Sequence, residues 1–460
     1  MIQSINNNIQ PIKYNKYNPQ KSFKGTGDAL LKASEIFIKS QENLSSTRFI
    51  QDTATNWAPK AVFARSKADF AEMSFLEFLE SAIFYFMIPV FGEKVFRNGL
   101  FKKFQPKNLQ KAVNGQLANS VKEITSNNAL TKEIQRRSIA TKAGILLACA
   151  MVPVAEYTLS FAKNLFTLKA FNKTNFNSIA NLDKGKSEKE NKAHQEKVEK
   201  SAKKHLIQGA VIAGAGIVAG SLLAINGHKS DRLQKVAKNI LNPGEVISNV
   251  TKKAGVKNEK VLNFLKKFSL DFASDNGKLA LSKGQLGLTA TVGLLGYSKA
   301  AGDRGKLDKQ EVWTRVPLVV LYTTFGSELL EKGFINLLSK KNKFPNLLQK
   351  GIDGKITVPA SKELPEIAER IAKANKTNVK DELSKLTKQK AFVGLVPYLF
   401  SIVAMGFTLS AITRIWTQHR YNVEHKDKKN TSAIKVQSFN EAPKLNVKSA
   451  NSFKKSEKLS

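Results

Sequence analysis

Residues 91–124 read FGEKVFRNGLFKKFQPKNLQKAVNGQLANSVKEI, and residues 325–364 read FGSELLEKGFINLLSKKNKFPNLLQKGIDGKITVPASKEL. The same landmarks arrive in the same order. Phe91-Gly92 matches Phe325-Gly326, Gly99 matches Gly333, Lys102-Lys103 matches Lys340-Lys341, and Pro106 matches Pro345. Asn114-Gly115 then matches Asp353-Gly354, and Lys122-Glu123 matches Lys362-Glu363. A second block follows in each half: YTLSFAKNLFTLKAFN (157–172) and FTLSAITRIWTQHRYN (407–422). A repeat on this scale sets the architecture before any local signal does. The chain therefore reads as two related halves with an insert between them.

Most of the apolar segments lie inside the repeated blocks. LIQGAVIAGAGIVAGSLLAIN (206–226) and AFVGLVPYLFSIVAMGFTLSAI (391–412) carry no charge. Each approaches the ~20 residues needed to cross a bilayer core. Three weaker stretches are 143–162 (with Glu156), 78–92 (with Glu80) and 316–330 (with Glu328). The repeat places 143–162 opposite 391–412, and 78–92 opposite 316–330. A last pair is 285–298 and its counterpart near 53–64, which contains Pro59 and Lys60. Each half thus reads as a weak helix a, a short helix b, a long polar b–c loop and a long helix c. The insert adds the span 206–226. The expected fold is an all-α membrane bundle of about five to seven spans. Three crossings per half would orient the halves alike, and two would invert them; both kinds of repeat occur in transporters.

The expected organisation is a leader (1–27), a first helical repeat (28–172), an insert (173–284), a second repeat (285–423) and a basic tail (424–460). The leader and tail are rich in Asn, Lys and Ser, the composition of disordered chain. The insert opens with DKGKSEKENKAHQEKVEKSAKKH (183–205), read as a solvated helix leading into the span. The two b–c loops carry Val113-Asn114-Gly115 and Ile352-Asp353-Gly354-Lys355-Ile356. Asn-Gly and Asp-Gly favour type I′ turns, so each loop is expected to hold a β-hairpin.

The net charge of +37 implies attraction to polyanions: nucleic acid, anionic lipid headgroups or acidic envelope polymers. The first b–c loop (97–138) alone has nine basic against two acidic residues. Positive-inside logic would place it in the cytoplasm, but 167–205 and the tail are basic too, so orientation stays open. The single cysteine, Cys149, excludes an internal disulfide framework. The five histidines show no zinc spacing. The polar N-terminus lacks the apolar core of a cleaved secretory signal. The reading calls for no cofactor, no metal and no catalytic set.

Several residues stand out. Glu156 lies in an apolar helix, where an ionisable group faces a bundle interior or a watery path. It is the candidate for an ion pathway; its repeat equivalent is Gly406. Gly214, Gly216 and Gly220 offer a helix-packing face, with self-association into a homo-oligomer as one use. Asp69 and Asp303, followed by Glu77 and Glu311, recur at equal spacing and are read as helix-start acids. Thr158 and Ser160 match Thr408 and Ser410 in the long helix. GTGDALLK (25–32) and GDRGK (302–306) lack the spacing of a phosphate-binding loop.

The leader ending Ser22-Phe23-Lys24-Gly25 and the segment YTLSFAKNLFTLKAFN resemble an uncharacterised membrane-protein family of the melainabacterial group, non-photosynthetic relatives of cyanobacteria. The resemblance implies a lineage and a bacterial cell-membrane location, and carries no activity. Together these features point to a multi-pass, non-enzymatic protein that organises partners or anionic lipids. The alternatives are a transporter or channel using Glu156, and a peripheral basic polyanion binder. Two uncharged spans speak against nucleic acid as the partner.

Overall fold

The structure, a computed structural model, describes residues 26–42, 46–183, 191–275, 277–351 and 356–440. In chain order the helices begin with α1 (Thr26–Glu42), α2 (Ser46–Val62), α3 (Lys67–Met87), α4 (Gln110–Gln116), α5 (Val121–Ser126) and α6 (Lys132–Ala148). They continue with α7 (Met151–Phe171), α8 (Phe176–Ile179), α9 (Lys192–Asn226), α10 (Asp231–Leu241), α11 (Pro243–Lys253) and α12 (Glu259–Lys266). The last six are α13 (Lys283–Arg304), α14 (Lys306–Leu321), α15 (Ser327–Lys340), α16 (Leu364–Asn375), α17 (Val379–Ser401) and α18 (Leu409–Asn440). Among the described residues the strands form two short antiparallel pairs. β1 (Ala273–Asp275) pairs with β2 (Lys278–Ala280), and β3 (Gln349–Lys350) with β4 (Ile356–Thr357). The protein is all-α, as the long apolar segments predict.

The helix starts follow from local chemistry. Ser66, Thr131, Asn191 and Ser230 each accept a backbone N–H in the first turn of α3, α6, α9 and α10. Ser282 and Gln285 form a reciprocal capping box on α13. Asn172 ends α7 in the left-handed conformation, which Asn tolerates better than most side chains. Three π-helical segments, Ile88–Leu100, Tyr322–Gly326 and Ile402–Thr408, extend α3, α14 and α17. The first two contain the repeat-matched Phe91-Gly92 and Phe325-Gly326.

The chain divides into two compact units, Met1–Glu42 with Ile335–Leu395, and Asn43–Phe334 with Val396–Ser460. In the smaller unit Leu347, Leu364, Ile367, Ala368, Leu386 and Val393 are buried, and Phe344 meets Phe392 edge-on. In the larger unit the core runs through Ile88, Phe96, Phe101, Val113, Leu117, Ile145, Val152 and Leu159. There α7 packs on α13, α3 and α9, while α6 packs on α9 and α10. The π segment Ile402–Thr408 packs on α2, and α18 on α14.

Two expectations about the loops need correction or qualification. Asn114-Gly115 is not a hairpin turn: it lies inside α4. Val113 is buried in the core, and Arg97 holds Asn114 through both its side-chain and main-chain oxygens (3.2 and 2.8 Å). Those tertiary contacts override the turn preference of the dipeptide. In the second loop β3 and β4 do pair, with Gln349 opposite Thr357, while the Asp353-Gly354 turn lies outside the described residues. Within 183–205, helix α9 begins at Lys192, and 184–190 lie outside the described residues. Of the two end segments, α1 begins at Thr26 and α18 runs to Asn440. Residues 1–25 and 441–460 are outside the description.

Among the described residues, four helical runs are long and apolar enough to cross a membrane: Lys67–Phe104, Lys132–Phe171, Lys192–Asn226 and Val379–Lys426. They contain the sequence segments 78–92, 143–162, 206–226 and 391–412. The segments 285–298 and 316–330 lie on α13 and across α14–α15, outside those four.

Candidate functional site

The start of α3 and the start of α14 carry the same eight-residue pattern. Residues 65–72 are RSKADFAE and residues 304–311 are RGKLDKQE, so Arg-x-Lys-x-Asp-x-x-Glu occurs twice. In each copy the Arg reaches the Asp four residues on: Arg65 Nε lies 3.2 Å from Asp69 Oδ2, and Arg304 Nε 3.2 Å from Asp308 Oδ2. The Glu is taken by the other copy. Arg65 donates two parallel bonds to Glu311 (3.0 and 3.1 Å), and Arg304 Nη1 donates to Glu72 Oε1 at 2.8 Å. Arginine suits this role because its planar fork holds a carboxylate in one orientation.

The long helices complete the cluster. From α7, Lys163 lies 3.0 Å from Glu72, Thr167 donates to Glu72 at 2.8 Å, and Asn164 accepts from Arg304 at 3.1 Å. From α18, Arg414 donates to Asp69 at 3.3 Å. The ring of Phe176 on α8 lies 5.3 Å from the Arg65 guanidinium carbon and 5.9 Å from that of Arg304. Burial works against both guanidinium charges, but the surrounding acids outweigh it and hold Arg65 and Arg304 above the ordinary arginine value. Burial pushes the Asp308 carboxyl up despite Arg304 beside it. Four cations (Arg65, Lys163, Arg304, Arg414) face four acids (Asp69, Glu72, Asp308, Glu311). The cluster is charge-balanced and largely self-paired, so it acts as a fastening between helix ends. Asp69 and Asp308 also sit in the first turns of α3 and α14, where the helix dipole favours negative charge.

This arrangement corrects the acid matching expected from sequence. Asp69 is a helix-start acid, but Asp303 is not: it lies next to the C-terminus of α13 and accepts from Ser201 of α9 at 2.5 Å. Glu311 is part of the cluster, but Glu77 lies further along α3 and pairs with Lys60. Within the eight-residue pattern Asp308 stands where Asp69 does, and Glu311 where Glu72 does. An offset of 234 residues aligns the Phe-Gly landmarks, whereas the charged pattern repeats at 239. The intervening stretch is five residues shorter in the second half, and one offset carried through hides the pattern. A search for the pattern alone would have found it.

Glu156 sits further along α7, buried at 2 % exposure against α13. Tyr297 donates to its Oε1 at 3.4 Å, while its Oε2 has no hydrogen-bond partner. The side chain fits because Gly293 faces it: a Cβ there would stand 2.7 Å from Glu156 Cγ. At the repeat-equivalent position Gly406 faces α2, where a Cβ would stand 2.9 Å from Pro59.

The glycine face of α9 is real but shifted. A Cβ on Gly216 would meet Leu147 O at 2.7 Å, and one on Gly220 would meet Gly144 O at 2.3 Å. Gly209 meets Thr158 in the same way. Gly214 does not belong to it: nothing lies within 4 Å of its Cβ position, because two residues turn it some 200° around the helix from Gly216. The packed face is occupied by α6 and α7 of the same chain. Thr158 and Ser160 bond back to carbonyls of α7, Thr408 is exposed, and Ser410 is buried without a partner. The two matched hydroxyl pairs form no common site.

Among the described residues, no group of three or more His, Cys, Asp or Glu side chains is placed to hold a metal ion. No family model, curated protein or solved structure matches the chain.

Proposed function

We propose that the chain is a multi-pass protein of a bacterial cell membrane that organises anionic lipids and partner proteins without catalysing a reaction. One observation carries the membrane part. The apolar windows of Lys192–Asn226 and Val379–Lys426 are only 17 % and 11 % buried within the protein. Ile207, Val211, Ile212, Val218 and Leu222 of α9 all face outward, as do Phe400, Val403, Ile412 and Ile415. Water would not tolerate exposed apolar belts of that length, and lipid chains would.

The duplication belongs to the same proposal. It is supported by the reciprocal Arg–Glu pairs and by the exchange of first helices, α7 onto α13 and Ile402–Thr408 onto α2. Because α3 and α14 both begin at the ion-pair cluster, the two halves run the same way. That favours three crossings per half, with α9 as the seventh. The lipid role draws on the charge and on a crevice of about 500 Å³ walled by Phe75, Leu165, Phe166 and Leu206, with Lys169 in its lining. Membrane fractionation tests the reading. The protein should stay in the pellet through high salt and alkaline carbonate and need detergent for release. Release by salt alone would leave a peripheral polyanion binder.

A second reading, transport, is favoured by the unpartnered Oε2 of Glu156. A pH-dependent flux in proteoliposomes that Glu156→Gln abolishes would select it. No flux, with lipid binding lost on neutralising loop lysines, would select the first.

A further inference from the structure

Between α9 and α13 come the helices α10, α11 and α12, after which Phe272, next to β1, and Leu279 of β2 return to the bundle core. Helix α10 lies against the bundle: Ala237 and Leu241 pack with Ile139 and Ala143 of α6 and with Leu223, in the last turn of α9. On the next arc of α10, Leu233 and Val236 are exposed. Leu223, which the packing of α10 covers, lies between Leu222 and Ile225, the last outward apolar residues of α9.

The next two helices continue the pattern. α11 and α12 form a hairpin closed by Gly244 N–H to Phe268 O (2.9 Å) and Ser248 Oγ to Leu262 O (3.1 Å). On α11 the packing side is Gly244 and Ser248, while Val246 and Val250 lie on the opposite side and Ile247 on the flank, all three exposed. On α12 Leu262 is buried, while Val261 and Phe264 are exposed, Phe264 at 63 %. A soluble hairpin would place polar residues at these positions. Basic residues surround them: segment 229–267 has ten (Lys229 and Arg232 to Lys267) against Asp231, Glu245 and Glu259, a net +7.

We infer that α10–α12 form an interfacial foot, with Leu233, Val236, Val246, Ile247, Val250 and Phe264 entering the headgroup boundary of an anionic bilayer. Amphipathic helices with apolar faces and basic flanks bind membranes in this way. Three observations select lipid over a second copy or another protein. The charge complements anionic headgroups, the exposed apolar side chains of α10 lie beside the outward belt of α9, and α9, itself long and apolar enough to cross a membrane, leads directly into α10. The inference rests on the membrane reading above.

The test uses the full chain in vesicles of phosphatidylcholine alone, or of equal parts phosphatidylcholine and phosphatidylglycerol. A fluorophore is attached at Val250→Cys or Phe264→Cys. Asn128→Cys, on the exposed turn before α6, is the control, and unlabelled Cys149 is buried. Shallow spin-labelled lipid should quench the two test positions about threefold more than the control in anionic vesicles. Replacing Lys252, Lys253, Lys260 and Lys266 together by Gln, or adding salt, should remove that excess. Equal quenching at all three positions, in protein that resists carbonate, overturns this inference and leaves the membrane reading standing. Protection from acrylamide that grows with protein density, without lipid quenching, overturns it in favour of a second copy. Extraction by carbonate overturns the membrane reading itself.

Discussion

Glu72 is the hub of the buried cluster, and its replacement tests how the helix ends are fastened. Its carboxylate receives Arg304 at 2.8 Å, Lys163 at 3.0 Å and Thr167 at 2.8 Å. At an effective dielectric of about 20, a pair at 2.8 Å attracts by about 6 kcal/mol. Most of that offsets the cost of taking both ions out of water. Removing one partner is different, because it strands the other in a dry site at a cost of about 3–5 kcal/mol. Glu72→Gln leaves Lys163 without an acid and Arg304 with Asp308 alone. Arg304→Gln leaves Asp308 without its arginine while Lys163 keeps Glu72, so each variant belongs in that range. The double variant should cost less than the sum of the singles by about 1–3 kcal/mol. The assay is reversible unfolding of detergent-solubilised protein by a denaturing detergent, read by tryptophan fluorescence. A Glu72→Gln variant within about 0.5 kcal/mol of the parent would refute the reasoning, as would strict additivity.

Asp69→Asn should destabilise by about 2–3 kcal/mol, since Asp69 holds both Arg65 and Arg414, whereas Asp303→Asn, with one hydroxyl partner, should cost about 1 kcal/mol or less; the same unfolding assay compares them. Gly214→Ala should stabilise α9 by up to about 1 kcal/mol through helix propensity alone, with nothing near the new Cβ. Gly220→Ala should destabilise by about 1–3 kcal/mol, because its Cβ would press on the backbone of α6 at Gly144. Finally, Gly293→Leu should separate α13 from α7 at Glu156, and cross-linking between cysteines placed on the two helices should fall accordingly.

The acid register shows how far each kind of reasoning reaches. The sequence by itself determined the helical class, the position of the apolar segments, the place of Glu156 within one of them and the packing role of Gly216 and Gly220. These depend on local composition and on 3.6-residue periodicity, which survive without a partner. It also contained the doubled Arg-x-Lys-x-Asp-x-x-Glu pattern, hidden by a five-residue change in spacing between the charged pattern and the Phe-Gly landmarks. Only the tertiary structure decided which carboxylate each arginine takes, because Arg65 and Glu311 are 246 residues apart and no local rule links them. Only it removed Gly214 from the packing face, since that required knowing which side of α9 meets α6. It also turned Asn114-Gly115 from an expected hairpin into a helix, where burial of Val113 and the grip of Arg97 outweighed an intrinsic turn preference of about 1 kcal/mol. Local preference is worth that little per residue, so wherever a core or an ion pair competes with it, the longer-range contact decides.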